Sequence, residues 1–381
     1  MRSLIPLLLL AACSASGGEA AESNAEAAAQ AGGSGRPFEV RPIATFDEPW
    51  AMAFLPGPGP RALITEKKGK LKLLWSDTGR VGNVAGAPAV DYGGQGGFGD
   101  VVLHPQFARN RLVYLSWVEA GEGGNRGAVV GRARFLEDGN RPRLEGLQII
   151  YRQTPKLSGR GHYGHRIAFG PDGKLYISNG ERQEFTPAQD MSATLGKIVR
   201  LNDDGTVPSD NPFASRGGAT AQIWSLGHRN PLGLAFDGSG RLWNIEMGPK
   251  GGDELNLVER GRNYGYPIVS NGDHYDGKDI PDHSTRPEFA APKMWWTPVI
   301  SPGDMIFYSG SAFPGWRGDI LVAGLSSKAL IRVDVDGTNA REAERWDMGK
   351  RIREVEQGPG GSVYLLEDEA GGRLLKLTPA R

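Results

Sequence analysis

The stretch "RIAFGPDGKLYIS", residues 166–178, decides the fold, because it places two short apolar segments on either side of a Gly/Pro turn. Related units recur along the chain as "AMAFLPGPGPRALITE" (51–66), "DVVLHPQFARNRLVYLSW" (100–117), "GLAFDGSGRLWNI" (233–245), "MIFYSGSAFPGWRGDILVAG" (305–324) and "REVEQGPGGSVYLLED" (353–368). Strand repeats at intervals of roughly 40 to 50 residues or more predict a propeller, in which each repeat is one small antiparallel sheet, or blade. The six copies therefore predict six blades.

The composition agrees with a fold made of strands. The 381 residues include 56 Gly and 26 Pro, which favours many short strands joined by tight turns. A two-sheet sandwich would need fewer strands, and a parallel α/β fold would need helices between them. Further apolar strands follow some copies, such as "KLKLLW" (70–75) and "RLLKL" (373–377), as a multistranded blade requires. The sequence predicts an all-β, six-bladed β-propeller over residues 37–381 with a site at its central channel.

The first residues, "MRSLIPLLLLAAC" (1–13), have the pattern of an export signal. They combine Arg2, an apolar stretch and small residues before Cys13, and they are too short to span a membrane as a stable helix. The "LAAC" ending resembles a bacterial lipobox, which implies a signal peptide over residues 1–12, cleavage before Cys13 and lipidation of its sulfur. The alternative is an ordinary secretory signal with a chance cysteine. Both predict an exported protein, periplasmic or at the cell surface.

Residues 13–36 contain few apolar and aromatic residues and many Ala, Gly, Ser and Glu, so we expect a flexible tether behind the lipidated Cys13. Cys13 is the only cysteine, which excludes disulfides and thiol chemistry from the propeller. The 44 basic and 44 acidic residues balance, so no global field suggests a nucleic-acid partner. The membrane is expected as a partner only through the lipid anchor.

Polar residues precede or flank the first apolar strand in four of the six copies. They are Gln95, His162, Arg229, Asn230, Arg351 and Arg353. Equivalent positions of the innermost strands of a propeller surround one mouth of the channel, so we expect these side chains to converge there. Each has a simpler alternative: a hydrogen-bonded histidine at a strand end, surface arginines, an asparagine that shapes a turn, and a glutamine that fills a loop.

Two histidines lie three residues apart in "GHYGHRIAF", residues 161–169. An apolar run of this length between turn residues predicts a strand, on which His162 and His165 would point to opposite faces. A metal ion shared by the two imidazoles is therefore not expected. We expect a change at His165 to affect folding at most.

The residue types restrict the chemistry at the predicted mouth. Three arginines and a histidine with no serine or cysteine nucleophile beside them suggest an anionic ligand and a proton transfer, rather than acyl transfer. No closely spaced carboxylate pair is found there, which argues against two-carboxylate glycoside hydrolysis. In "EMGPKGGDELNLVERGRNYGYP" (246–267), Gly-rich turns flanked by Asp253 and Glu254 offer oxygen ligands for a hard cation such as calcium. The alternative there is a tight turn with solvated acids.

Several long strings resemble the soluble pyrroloquinoline-quinone (PQQ)-dependent sugar dehydrogenases, the glucose/sorbosone dehydrogenase family. They are "GQGGFGDVVLHPQF" (94–107), "GHYGHRIAFGPDGKLYIS" (161–178), "LGKIVRLNDDGTVPSDNPF" (195–213), "GHRNPLGLAF" (227–236), "GPKGGDELNLV" (248–258), "GRNYGYP" (261–267) and "RIREVEQGPGG" (351–361). The resemblance implies a six-bladed propeller that uses PQQ and Ca²⁺ to oxidise aldose sugars to lactones. It also implies an electron acceptor, either a quinone or a soluble redox carrier.

The resemblance implies a role for each matching residue. His162 corresponds to the general base that takes the proton of the anomeric hydroxyl, and Arg229 to the group that stabilises negative charge on the reduced cofactor. The residues that correspond to cofactor-binding positions are Gln95, Arg229, Asn230, Tyr275, Lys328, Arg351 and Arg353. The carbonyls of Gly248 and Pro249 correspond to the calcium site beneath the quinone. Glu254 and Tyr264 correspond to a second, structural calcium site.

One segment departs from the family pattern. Where members often carry a cofactor-contacting lysine, "AGLSSKALIRV" (323–333) has Ser326, and Lys328 comes two residues later. On a strand this offset keeps the same face, so Lys328 is expected to substitute from about 6 to 7 Å along the strand. The departure also supports the alternative function, a non-catalytic propeller that binds a saccharide or a protein partner, since a fold does not fix chemistry.

Overall fold

The computed structural model describes residues 35–138 and 141–380. In these residues the strands form six four-stranded sheets, and neighbouring strands within each sheet are antiparallel. The predicted all-β, six-bladed propeller is confirmed. The predicted signal peptide (1–12) and the lipidation site at Cys13 lie outside the described residues. Within the described part of the chain, no helix has the length and apolar character needed to cross a membrane.

Each of the first five blades is a continuous stretch of chain, and its first strand is the innermost. Blade 1 has β2 (Pro49–Leu55), β3 (Arg61–Glu66), β4 (Lys70–Trp75) and β5 (Arg80–Val84), and blade 2 has β6 (Phe98–Leu103), β7 (Leu112–Ala120), β8 (Arg126–Asp138) and β9 (Arg141–Arg152). Blade 3 has β10 (Gly164–Phe169), β11 (Leu175–Asn179), β12 (Lys197–Leu201) and β13 (Ile223–Leu226), and blade 4 has β14 (Pro231–Phe236), β15 (Leu242–Glu246), β16 (Asp253–Val258) and β17 (Met294–Trp296). Blade 5 has β18 (Pro302–Phe307), β19 (Ile320–Gly324), β20 (Ala329–Asp336) and β21 (Asn339–Asp347).

Blade 6 contains both ends of the described chain. It has β22 (Ile352–Gln357), β23 (Val363–Glu367) and β24 (Ala370–Pro379), and β1 (Phe38–Asp47) is its outermost strand. Strand β1 pairs antiparallel with β24 from Phe38 opposite Pro379 onward, so the first strand closes the ring. This pairing also covers an edge of β24 that would otherwise present unpaired backbone groups.

Within residues 35–138 and 141–380, helical structure is confined to short connections. A single α-helical turn, α1 (Phe107–Asn110), lies between β6 and β7. Short 3₁₀ turns are formed by Glu122–Gly124, Thr186–Ala188, Ala214–Arg216, Thr220–Gln222, His283–Thr285, Pro314–Trp316 and Pro359–Gly361.

The innermost strands surround a central channel. Contacts run in sequence from β2 through β6, β10, β14, β18 and β22 and return to β2, which closes the ring. Each of the six strands has a register irregularity within its first residues, as between Gly164 and Ile167 in β10. Such bulges redirect side chains and bend the strand. The irregular ends all lie at the same mouth, where the polar residues singled out from the sequence are found.

The apolar faces of adjacent blades pack against one another to form the core. Between blades 1 and 2, for example, Leu63 and Leu73 belong to the same buried cluster as Leu115 and Val129. Burial of each such side chain contributes about 1.5–3 kcal/mol, before the conformational entropy that folding costs is subtracted. The stacked blades therefore hold the channel-facing strands in fixed positions.

Arg166, on β10, lies at the centre of the channel and links the blades. Its guanidinium lies 2.6 Å from Glu354, 3.5 Å from Asp100 and 3.6 Å from Asp304. It also donates to the carbonyl of Leu232 (2.8 Å) and to that of Gly303 (2.8 Å), and its central carbon lies 4.0 Å from the ring centre of Trp50. All of these partners lie on the innermost strands of the other five blades. Leu232 and Gly303 contribute backbone carbonyls, and the others contribute side chains.

Candidate functional site

A cavity of about 190 Å³ opens at the mouth where the innermost strands begin. The residues Gln95, Asn230, Arg351 and Arg353, all predicted from their register, line it together. The cavity also has Trp50, Lys67, Tyr163, His165, Met247, Leu325 and Asp368 in its lining. The structure therefore brings together side chains from separate blades, as a site in the channel requires.

His162 lies in the turn that leads into β10, beside this cavity. Its neighbours Tyr163 and Gly164 line the cavity, and its backbone N–H donates to Oε1 of Gln95 at 2.7 Å. The φ angle of His162 is +47°, an uncommon left-handed conformation for a residue other than glycine. Gln95 therefore holds the backbone of the predicted base in a strained conformation, a situation that is concentrated at functional sites.

The imidazole of His162 is paired with a carboxylate that the sequence analysis did not single out. Its Nδ1 lies 2.5 Å from Oε1 of Glu181, whose side chain is fully buried. The second oxygen of Glu181 accepts the backbone N–H groups of Glu184 (2.7 Å) and Phe185 (3.2 Å). Because the carboxylate accepts a hydrogen bond from Nδ1–H, Nε2 of the neutral imidazole carries no hydrogen and can accept a proton.

Burial lowers the pKa of His162, and the charges of Arg229 and Arg182 act in the same direction, whereas Glu181 opposes them. The net effect keeps the imidazole neutral and hence able to accept a proton near neutral pH. A neutral, oriented histidine beside a cavity is the arrangement that general base catalysis needs.

The prediction that His162 and His165 both lie on one regular strand is wrong. Strand β10 begins at Gly164, so His162 precedes it, and His165 has a φ of +64°, so simple strand alternation does not apply. His165 lines the cavity itself, where it stacks on Trp50 with 5.0 Å between ring centres and bonds through Nδ1 to Ser116 (2.7 Å). Burial lowers the pKa of His165 to about 3. A role restricted to folding therefore does not follow from its position.

Arg229 and Asn230 immediately precede β14. The backbone carbonyl of Arg229 accepts the N–H of Glu181 (2.9 Å), so one residue connects Arg229 with His162. The Arg229 guanidinium donates to the carbonyls of Met247 (3.0 Å) and Gly248 (2.5 Å). The side-chain oxygen of Asn230 accepts the N–H of Gly164 (3.2 Å), which ties β14 to β10 at the mouth.

The cavity wall has more basic than acidic side chains. Arg351 and Arg353 share one carboxylate, Asp368, at 2.9 and 3.2 Å, and Lys67 lies on the same wall. Burial and the neighbouring Arg353 lower the pKa of Lys67, whose partner Glu48 lies at 3.7 Å. This excess of positive charge suits an anionic ligand with several carboxylates.

Tyr275 and Lys328 lie outside the lining of the cavity. Tyr275 is 72% exposed and stands at the rim, with its ring centre 5.9 Å from the guanidinium carbon of Arg229. Lys328 is exposed in the turn between β19 and β20, with a φ of +52°. The expectation that Lys328 lies on a strand is wrong, because β19 ends at Gly324 and β20 begins at Ala329.

Gly248 and Pro249 are buried and directly follow Met247, whose carbonyl accepts a hydrogen bond from Arg229. The Gly248 N–H donates to Asp253 (2.8 Å), and its carbonyl already accepts one hydrogen bond from Arg229. A carbonyl oxygen has two lone pairs, so it retains capacity for a hard cation. The oxygen atoms available at this turn are of the type that calcium prefers as ligands.

Glu254 and Tyr264 lie in one buried polar cluster, where His283 connects them. Burial and the charge of Glu246 raise the pKa of Glu254 well above its usual range. His283 lies 3.8 Å from the Glu254 carboxylate and contacts the carbonyl of Tyr264 at 3.0 Å. The side-chain oxygens of Asn244 and Asn256 are buried and accept no hydrogen bond. Two buried acids with orphaned amide oxygens fit a divalent cation.

Within the described residues, no group of three or more His, Cys, Asp or Glu side chains is arranged to hold a metal ion. The two calcium sites expected from the sequence therefore depend on backbone carbonyls and amide oxygens as well as carboxylates. Both remain predictions.

Comparisons with known proteins agree with this geometry. The Glucose / Sorbosone dehydrogenase family matches residues 46–376. The aldose sugar dehydrogenase YliI of Escherichia coli (strain K12) is 40% identical over 341 residues, which cover 88% of this chain and 91% of that protein.

Two solved structures have the same fold over most of the chain. The apo-form of the soluble aldose sugar dehydrogenase from Escherichia coli has a TM-score of 0.84 and 39% identity, and covers 90% of this chain and 100% of its own. The PQQ-bound form of aldose sugar dehydrogenase from Streptomyces coelicolor has a TM-score of 0.73 and 29% identity, and covers 90% of this chain and 98% of its own. The fold, the cavity and these similarities together show that the chain belongs to the glucose/sorbosone dehydrogenase family of sugar dehydrogenases.

Proposed function

We propose that the protein oxidises aldose sugars to lactones with PQQ as the bound oxidant and His162 as the general base. The observation that supports this most strongly is the hydrogen bond from Nδ1 of His162 to Glu181, which leaves Nε2 free beside a cationic cavity. The PQQ-bound relative from Streptomyces coelicolor supports the choice of cofactor.

The residues around the cavity would bind the cofactor through its negative charges. Lys67, Arg351 and Arg353 supply positive charge, and Gln95 and Asn230 supply amide groups on the neighbouring walls. When bound, PQQ supplies an electrophilic quinone carbon that accepts the hydride from the anomeric carbon of the sugar. Arg229 would stabilise the negative charge that grows on the cofactor, and Tyr275 would contact it from the rim.

The proton chemistry belongs to His162. Nε2 accepts the proton of the anomeric hydroxyl, and Glu181 stabilises the imidazolium that forms because it already accepts the hydrogen of Nδ1. Closure of the channel beneath the cavity by Arg166 and its partners excludes water from below, which strengthens these electrostatic interactions.

Calcium would be held at two places. The carbonyls of Gly248 and Pro249 would hold one ion, which supplies Lewis-acid polarisation of the cofactor when present. Glu254 and the carbonyl of Tyr264 would hold a second, structural ion, which would neutralise the buried pair of Glu254 and Glu246.

The segment ahead of the propeller suggests where the reaction takes place. The pattern in residues 1–13 supports export and lipidation at Cys13, and residues 13–36 would then tether the propeller to a membrane surface. Lys328 is exposed in the turn after β19, outside the lining of the cavity, and would assist cofactor binding only by moving toward the cavity. Electrons would pass from the reduced cofactor to a quinone or a soluble redox carrier.

Reconstitution tests the proposal. The purified protein is loaded with PQQ and Ca²⁺ and mixed with a panel of aldoses and a dye acceptor, with parallel samples that lack PQQ or contain a calcium chelator. We expect sugar-dependent dye reduction only in the complete sample. Absence of dye reduction with every sugar, in a protein that is folded and loaded, would refute the proposal and favour a non-catalytic saccharide- or protein-binding propeller.

A further inference from the structure

Arg182 is a buried cation that the proposed mechanism does not use. Its side chain is fully buried, yet no described carboxylate lies within 4.0 Å of its guanidinium. It follows Glu181 directly in the chain and has a left-handed φ of +67°. Burying an unpaired guanidinium is costly, so its hydrogen bonds must compensate.

Those hydrogen bonds all reach backbone carbonyls, two of them in the turn that contains His162 and one in blade 2. Nε donates to the carbonyl of Gly161 at 2.9 Å, and one terminal nitrogen donates to the carbonyl of Gly159. The other terminal nitrogen donates to the carbonyl of Arg126 at 2.9 Å, at the start of β8 in blade 2. The planar fork of the guanidinium thus fixes the turn before His162 to a strand of the neighbouring blade.

The same residue also holds the far side of the turn. The backbone N–H of Arg182 donates to the carbonyl of His162 at 3.3 Å. Its guanidinium carbon lies 4.0 Å from the ring centre of Tyr163, the next residue, in a cation–π contact. Glu181 fixes the imidazole while Arg182 fixes the backbone on both sides of it.

We propose that Arg182 is a positioning residue for His162, which holds the turn of residues 159–163 that carries the imidazole. The proposal rests on the proposed function of His162 as general base. A lysine cannot replace it, because an ammonium group lacks the planar arrangement of donors that reaches three carbonyls. The positive charge of Arg182 also acts with that of Arg229 to lower the pKa of His162, which burial lowers most.

Two variants separate its two contributions. In Arg182→Met the charge and the donors are both lost, so we expect turnover to fall about 10- to 100-fold with a smaller change in KM, since the base is misplaced. The loss of a nearby positive charge also raises the pKa of His162, so the acidic limb of the kcat/KM profile moves to higher pH. In Arg182→Lys the charge is kept, so turnover falls while the acidic limb stays near its original position.

The control is Arg200→Met, because Arg200 is also buried but lies on β12, bonded to Asp172 and Asp210. We expect this change to lower the melting temperature without moving the pH profile. The titration of His162 is followed in each protein by NMR of ring-labelled histidines, assigned with His162→Gln. This readout does not require sugar oxidation, so it tests Arg182 even if the proposed activity is absent.

A folded Arg182→Met protein with an unchanged His162 titration and unchanged turnover would overturn the proposal. If Arg182→Met does not fold, Arg182→Lys decides: wild-type turnover in that variant would overturn the claim that the guanidinium fork positions the base. Loss of activity in His162→Gln together with no effect at Arg182 would leave the proposed function standing and remove Arg182 from it.

Discussion

The hydrogen bond between His162 and Glu181 determines which imidazole nitrogen can accept a proton. Glu181 receives three donors: Nδ1 of His162 on one oxygen, and two backbone N–H groups on the other. Only a carboxylate can accept at both oxygens. The backbone of residues 184 and 185 therefore orients Glu181, which in turn orients His162.

Replacing Glu181 by glutamine tests this orientation. The amide has only one accepting oxygen, so either the imidazole or the backbone N–H pair then faces an NH₂ group. We expect turnover to fall by about 10- to 100-fold. Because Glu181 raises the pKa of His162, its neutralisation lowers that pKa, and the acidic limb of the kcat/KM profile moves to lower pH.

The matched control is Glu184→Gln, since Glu184 is exposed and contacts Glu181 only through its backbone. It should have the turnover and the pH profile of the wild type. A Glu181→Gln protein whose acidic limb moves to higher pH would contradict the assigned role of the carboxylate.

At the scale of residues, the sequence identified those polar side chains that directly precede or flank an apolar strand. Gln95, Asn230, Arg351 and Arg353 were accessible in this way, because the repeats supply their register. Glu181 could not be identified in this way, because it lies two residues after β11. Only the pairing of Gly164 with Asn179 brings it beside His162. Its position depends on the hairpin rather than on a local motif.

At the scale of elements, the ends of the second strands in four of the six blades also supply the cavity. Lys67, Met247, Leu325 and Asp368 each directly follow the second strand of their blade, and all four line the cavity. The two inner strands are antiparallel, so the end of the second lies beside the start of the first. Examining both strand ends of each repeat would have found Lys67 and Asp368 from the sequence.

The errors at His165 and Lys328 have the same origin. Both arguments assumed regular strand alternation, but His165 lies in the bulged start of β10 and Lys328 in a turn. The turn is fixed by Ser326 and Ser327, whose backbone N–H groups both donate to the carbonyl of Ile300. Bulges and such long-range turn contacts have no clear signature in a single sequence.

Strand β1 provides a test of how the ring is closed. Phe38, at its start, is 4% exposed and packs edge-on against Trp316 (6.2 Å) and Trp346 (5.3 Å) of blade 5. We expect Phe38→Ala to lower the free energy of unfolding by about 3–5 kcal/mol, because a large buried ring is replaced by a cavity. Chemical denaturation measures this change.

Val207→Ala serves as the control, because Val207 is 38% exposed and its truncation should change the free energy of unfolding by less than about 0.5 kcal/mol. Equal effects of the two changes would show that β1 does not contribute to the packing of the closed ring.

At the scale of the whole molecule, Arg166 joins the six blades at the centre of the channel. Burial raises the pKa of Asp304 to about 7 and also raises that of Asp100, while Arg166 opposes both shifts. At pH 5 the Asp304 carboxyl can bind a proton, whereas at pH 8 its ionised form depends on the guanidinium.

We therefore expect Arg166→Met to destabilise the fold by about 3–5 kcal/mol at pH 8 and by less at pH 5, where protonation replaces the lost cation. Denaturation at both pH values, with the partly exposed Arg373→Met as control, measures the difference. A loss of stability that is larger at pH 5 would contradict this description of the channel.

The overall fold could be predicted because six similar units each report one blade. The closure of the ring by β1 could not be predicted, because its partner β24 lies at the opposite end of the described chain. No local sequence pattern connects the two strands. The central role of Arg166 also depends on contacts among all blades, which appear only when the ring is formed.

The most direct test of the central claim is an absorbance titration of the apoprotein with PQQ in the presence of Ca²⁺, followed by one addition of aldose. We predict that one equivalent of PQQ binds to the wild type and to His162→Gln, because the cationic wall is intact in both. Bleaching of the bound quinone should be about 100-fold slower in His162→Gln, the loss expected for a general base, while His104→Gln at the opposite mouth behaves as the wild type. Failure of the folded wild type to bind PQQ, or equal bleaching rates in the wild type and His162→Gln, would contradict the account.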